Sequence, residues 1–67
     1  MTIGERIRAE RELRSWTRER LAARSKMPLH WIEAVEEGRR KPHRHGLPLL
    51  AVALTFDLEV EDLWPDD

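Results

Sequence analysis

Ser25–Lys26–Met27–Pro28 separates two short stretches of helical periodicity, and this break constrains the fold more than any other feature of the chain. Pro28 has no N–H to donate, so it tolerates a first helical turn and pushes Met27 toward extended geometry. One helix therefore ends here and another begins. From Arg18 to Pro42 the chain reads RERLAARSKMPLHWIEAVEEGRRKP: a short helix, the break, a second helix, then Gly38 and three basic residues. That order suits a helix placed to enter a DNA groove. Yet the second helix carries Glu33, Glu36 and Glu37, the wrong sign for a phosphate polymer.

The rest of the chain is helical in pattern as well, and no run of alternating β-branched residues competes with it. A first helix is expected over about residues 2–13, with Ile3 and Ile7 one turn apart on its buried side. Thr17 reads as an N-cap, because its hydroxyl can accept from the free N–H groups of the next turn. Trp16 before that cap and Leu21 four residues into the helix occupy the two positions of a hydrophobic staple. The helix that follows, roughly 18–24, turns Leu21 and Ala22 inward. The next buries Ile32 and Val35 and is closed by Gly38, which can take the left-handed conformation. Then comes GLPLLAVALTF, apolar nearly all round. Leu47, Leu50, Ala51 and Leu54 form one stripe; Leu49, Val52, Ala53 and Phe56 form another. A surface helix of so small a domain buries one stripe in its own core, leaving the other to shield a neighbouring element or to meet a second chain. A last short helix around Val60–Trp64 stops at Pro65.

At 67 residues the chain reads as one domain, residues 1–67, small enough to bury only about 60% of its unfolded surface. It has no cysteine, so neither a disulfide framework nor a thiolate zinc site can staple it. No apolar run reaches membrane-spanning length, and the charged opening MTIGERIRAE does not resemble a signal sequence. A soluble, cytoplasmic protein is expected. The net charge of −1 hides a strong asymmetry. Residues 39–44 read RRKPHR without an acid, whereas residues 57–67 read DLEVEDLWPDD without a base. No nucleophile–base arrangement or phosphate-cradling glycine loop is present, so an enzyme is not expected. His30, His43 and His45 lack carboxylates at ligand spacing and read as solvent-facing; no metal or cofactor is expected.

IGERIRAERE, WTRERLA, IEAVEEGRRKP, LPLLAVAL and EDLW, in this order and spacing, resemble the helix-turn-helix domain of lambda-repressor-like, Xre-type transcriptional regulators over nearly the whole chain. The resemblance implies an all-α, compact five-helix bundle. Its helix-turn-helix unit spans about residues 18–37, with the third helix as recognition helix. It implies an ion pair between Arg11 and Glu36, which would turn Glu36 inward; leaving Arg11 buried alone would cost roughly 3–5 kcal/mol. The base-reading face falls on Leu29, His30, Glu33 and Ala34, where Leu29 can pack on a thymine methyl, His30 can donate or accept, and Glu33 can accept from a cytosine amino group. Phosphate anchors fall on Arg18, Arg39, Arg40, Lys41 and Arg44. Three positions depart from the family pattern: Lys26 stands where glycine is usual, Glu10 where an apolar residue is usual, and Arg18 where glutamine is frequent. Glu33 and Glu37 would repel phosphates on the groove side.

These residues together lead to double-stranded DNA as the partner, bound by a homodimer on a two-fold symmetric operator. The dimer surface is expected on the second stripe of the fourth helix with Leu58, Leu63 and Trp64, although Trp64 can equally cap the core. SKMPLHWIEAVEEG also resembles the helix-turn-helix of the bacterial cell-shape protein RodZ, which uses the fold to hold a cytoskeletal protein. The competing expectation is therefore a protein-interaction module using Leu29, Trp31 and the acids of the third helix. An antitoxin-type regulator, binding both DNA and a protein partner, lies between the two.

Overall fold

Thr2 starts the first helix with a reciprocal capping box. Its hydroxyl accepts from the Glu5 N–H at 3.1 Å, and its own N–H donates to Glu5 Oε1 at 2.8 Å. In the computed structural model, which describes residues 1–65, α1 then runs Ile3–Leu13, α2 Arg18–Ser25, α3 Leu29–Glu36, α4 Leu47–Thr55 and α5 Val60–Leu63. The last two acids of the acidic stretch, Asp66 and Asp67, lie outside the described residues. All regular structure among the described residues is helical. The five helices sit where the sequence places them, and α2 continues one residue past the expected end.

Local chemistry sets each boundary. The Thr17 hydroxyl accepts from the Arg20 N–H at 3.0 Å and caps α2 as its residue type demands. At the other end Lys26 takes the left-handed conformation (φ 60°) without glycine's freedom, and its N–H donates to Ala22 O. The departure from glycine therefore costs backbone strain at Lys26. Ser25, buried beside it, returns its hydroxyl to Leu21 O at 2.7 Å. Pro28 stands at the N-cap of α3, and its carbonyl accepts from Trp31 and Ile32. Gly38 closes α3 with φ +80° and nothing near the position a Cβ would take, so backbone conformation alone calls for glycine there.

The buried residues form one cluster: Ile3 and Ile7 from α1, Leu21 and Ala22 from α2, Trp31, Ile32 and Val35 from α3, Leu49, Val52, Ala53 and Phe56 from α4 and its cap, and Leu63 from α5. Trp16 packs against this cluster, as a staple residue should, but its ring stacks on Phe56 with centroids 5.8 Å apart. The Arg24 guanidinium lies 4.8 Å from the Trp16 centroid and that of Arg14 lies 4.7 Å from Phe56. Such contacts favour offset rings and cations over aromatic faces. α1 crosses α3 at Gly4, where an added Cβ would collide with the Val35 carbonyl.

Leu63 corrects one expectation. It is wholly buried among residues of its own chain, so it fills the core and leaves nothing for a dimer partner to touch. The stripe of α4 turned outward is Leu47, Leu50 and Leu54, exposed to 79%, 41% and 66%, with Ala51 half-buried between them. Leu58 and Trp64 are half-buried against the core.

Candidate nucleic-acid interface

Three arginines and two glutamates form a continuous ladder that joins α1, α2 and the C-terminal end of α3. Arg11 of α1 meets Glu36 in a bidentate pair, Nε to Oε2 at 2.8 Å and Nη2 to Oε1 at 3.0 Å. Its third nitrogen donates to Trp16 O at 2.7 Å. Glu36 has no exposed side-chain surface, and its hydrogen bond holds Arg11 above the ordinary arginine value. A fork-to-fork pair of this kind is both strong and directional. The inward turn implied for Glu36 is what the structure has, so this acid presents no charge to a groove.

Arg18 was expected among the phosphate anchors, and here the structure differs. Its Nε donates to Glu36 Oε1 at 3.0 Å and its Nη1 to Glu37 Oε2 at 3.1 Å. The charge that would meet phosphate is already engaged inside the protein, because an arginine at this position lies beside two acids where the family's usual glutamine would be neutral. Glu37 also accepts from Arg39, at 3.0 Å from Nε and 2.9 Å from Nη2. Hydrogen bonding to Arg39, and then to Arg18, holds the Glu37 carboxyl below its ordinary value. Arg11, Arg18 and Arg39 against Glu36 and Glu37 leave the ladder one positive charge in excess, three minus two. The repulsion expected from Glu37 is thereby neutralised locally.

Beyond the ladder, α3 turns His30, Glu33 and Ala34 away from the core residues Trp31, Ile32 and Val35, as the spacing of three and four dictates. His30 is exposed and Glu33 and Ala34 are half-buried. Leu29 is only partly available, because it packs against the core cluster. Trp31 is buried to 5% exposure and contributes to the core.

The segment after α3 is held by its backbone. The N–H groups of Arg39 and Arg40 both donate to Ala34 O, and Pro42 is buried, anchoring the loop from below. Arg39, Arg40, Lys41 and Arg44 are all exposed. Lys41 Nζ and the Arg44 guanidinium lie 5.9 and 5.6 Å from the centroid of Trp64, so the C-terminal tryptophan lies beneath two of the collar's cations. Neither this contact nor the Arg18–Glu37 pair is legible in the sequence, since both join residues far apart in the chain. The Glu37–Arg39 pair was within reach of the sequence, two residues apart. His43 and His45 are exposed; no group of three or more potential metal ligands occurs among the described residues.

A family model described as "Helix-turn-helix domain" matches residues 2–64. The chain belongs to the helix-turn-helix domain family. Its fold is that of the Xre-type, DNA-binding members. Among solved structures it is similar to the restriction-modification controller protein C.AhdI from Aeromonas hydrophila, at 27% identity and a TM-score of 0.84, over 92% of this chain and 91% of that one. No curated protein matches the sequence. Among the described residues, no helix is long and apolar enough to cross a membrane.

Proposed function

We propose that this helix-turn-helix protein regulates transcription by binding a two-fold symmetric operator in double-stranded DNA as a homodimer. The observation that carries the reading is the inward Glu36, held by Arg11, which leaves α3 with His30, Glu33 and Ala34 outward and an exposed cationic collar directly after it. α3 enters the major groove. Arg40, Lys41 and Arg44 grip phosphates at its C-terminal side, and His30 reads a base edge. The similarity to a restriction-modification controller protein supports a regulatory role of this kind. Burial of Trp31 counts against the protein-docking alternative, because it removes that face's largest aromatic from the surface.

Selection of bound duplexes from a random pool tests the reading and supplies the operator's symmetry. On the selected duplex, log affinity falls against log salt with a slope near 0.9 per phosphate contacted. Arg40→Ala with Lys41→Ala weakens binding to all sequences and flattens that slope, whereas His30→Ala changes the preference among sequences. Enrichment of no sequence, with no duplex bound at low salt, refutes the function.

A further inference from the structure

Glu37 is exposed, lies at the C-terminal end of the recognition helix, and is held by two arginines from opposite sides. Its backbone is fixed, since its N–H donates to Glu33 O and Val35 O at the cap of α3. Only its side chain is free to move, and 44% of that side chain is already in solvent. Arg18 has a different constraint: its Nε stays with the buried Glu36, so its guanidinium keeps its place whether or not Glu37 remains. Arg39 is 62% exposed and has Glu37 as its carboxylate partner. A two-oxygen anion therefore already occupies the space between two cations beside the proposed groove-entering helix.

We propose that Glu37 is an internal stand-in for a DNA phosphate, an autoinhibitory contact that a duplex must displace before Arg18 and Arg39 can bind it. The inference rests on the DNA-binding reading above. Phosphate and carboxylate offer arginine the same paired oxygens, so the displacement is an exchange of one charge-assisted contact for another. Cations engaged in such an exchange add less to affinity than cations facing water. The loss falls on every duplex alike, because phosphate contacts carry no sequence information. An operator recovers affinity through the α3 face, and a random duplex does not. Glu37 thus lowers non-specific binding and leaves base readout as the larger share of what remains. This gives a physical role to an acid whose place next to a phosphate polymer is otherwise unfavourable.

The test compares the full chain with Glu37→Gln on a mixed-sequence duplex, titrated from about 50 mM salt upward. Glutamine keeps the shape and surrenders the charge, and a thermal melt of each variant confirms equal folding. An exposed ion pair is worth a factor of roughly 1.5 to 5, so releasing two raises non-specific affinity by a factor of about 2 to 25. The log–log salt slope steepens by about 0.9 for each phosphate regained. Simple relief of repulsion also tightens binding, so the same change is made in an Arg39→Ala background. Displacement requires the gain to shrink there to about twofold, whereas general repulsion leaves it intact. An unchanged affinity for Glu37→Gln, or an equal gain with and without Arg39, overturns the proposal while leaving DNA binding standing. Failure of parent and variant alike to bind any duplex refutes the DNA reading, and the proposal with it.

Discussion

Glu10 stands on α1 where a helix of this kind usually has an apolar residue, and it is nonetheless mostly covered, with 16% of its side chain exposed. Two arginines one turn away on either side account for this. Arg14 reaches it at 2.9 Å and Arg6 at 3.1 Å, and Arg14 continues to Phe56 O, joining α1 to the end of α4. The hydrogen bond from Arg14, and then that from Arg6, holds the Glu10 carboxyl below its ordinary value of 4.5. A carboxylate depressed in the folded state contributes stability above its unfolded pKa, and the contribution drains away as pH falls through the folded one. Thermal melts should therefore show the protein losing stability as pH drops below about 4.5, with Glu10→Gln losing less over the same interval because that residue no longer takes up a proton. Equal acid dependence in both proteins would remove Glu10 from the account. The i, i+4 spacing of all three residues was readable in the sequence, but that the triad anchors α4 was not, because Phe56 is distant in the chain.

At the scale of elements, the boundaries were legible where one residue's chemistry decides them. Thr17 offers a cap hydroxyl, Pro28 withholds an N–H and Gly38 accepts a positive φ; each acts within a turn of itself. The two stripes of α4 were not distinguishable, because both are apolar, and only α2 and α5 packing against one of them decides which is core. The α1–α3 crossing was equally hidden. Gly4 reads as an ordinary helical glycine of low propensity, yet a Cβ there would run into the α3 backbone at Val35 and Glu36. Propensity alone says that Gly4→Ala stabilises α1 by up to about 1 kcal/mol. The collision with the Val35 carbonyl says the opposite, and it wins: backbone cannot swing aside as a side-chain tip can, so overpacking costs about 1–3 kcal/mol or more. Denaturant unfolding measures the sign. A stabilised Gly4→Ala protein would mean that the α1–α3 crossing has room for a methyl group. Because Glu36 follows Val35 directly, the same substitution should also loosen the Arg11–Glu36 pair.

The described residues span 28 × 24 × 21 Å, so under the proposed function one copy carries one groove-entering helix, and both halves of a symmetric site take two. For helices one DNA turn apart, about 34 Å, the pairing surface must lie to the side of the reading face. Leu47, Leu50 and Leu54, exposed on α4, an element separate from α3 and the collar, are the candidates for that surface. Three exposed leucines on one short helix form a contiguous apolar strip of the kind that a soluble protein covers with a partner. The sequence pointed to this helix but assigned Leu63 to the partner, since a leucine near the chain's end gives no sign of folding back into the core. Leu54→Glu places a charge in the strip without touching a buried residue. In sedimentation the parent should move at about twice its chain mass of 8.0 kDa and the variant at about that mass. On a two-half-site duplex the variant should bind with about half the salt slope, as one protomer's phosphates are contacted instead of two. Melting temperature separates this from misfolding: removing an exposed leucine leaves the core intact, so the folded monomer persists at high dilution of the parent and at all concentrations of the variant. If the parent itself sediments as a monomer at concentrations that saturate the operator, pairing occurs only on DNA. In that case the strip sets cooperativity between half-sites, and Leu54→Glu should abolish the second binding step while sparing the first.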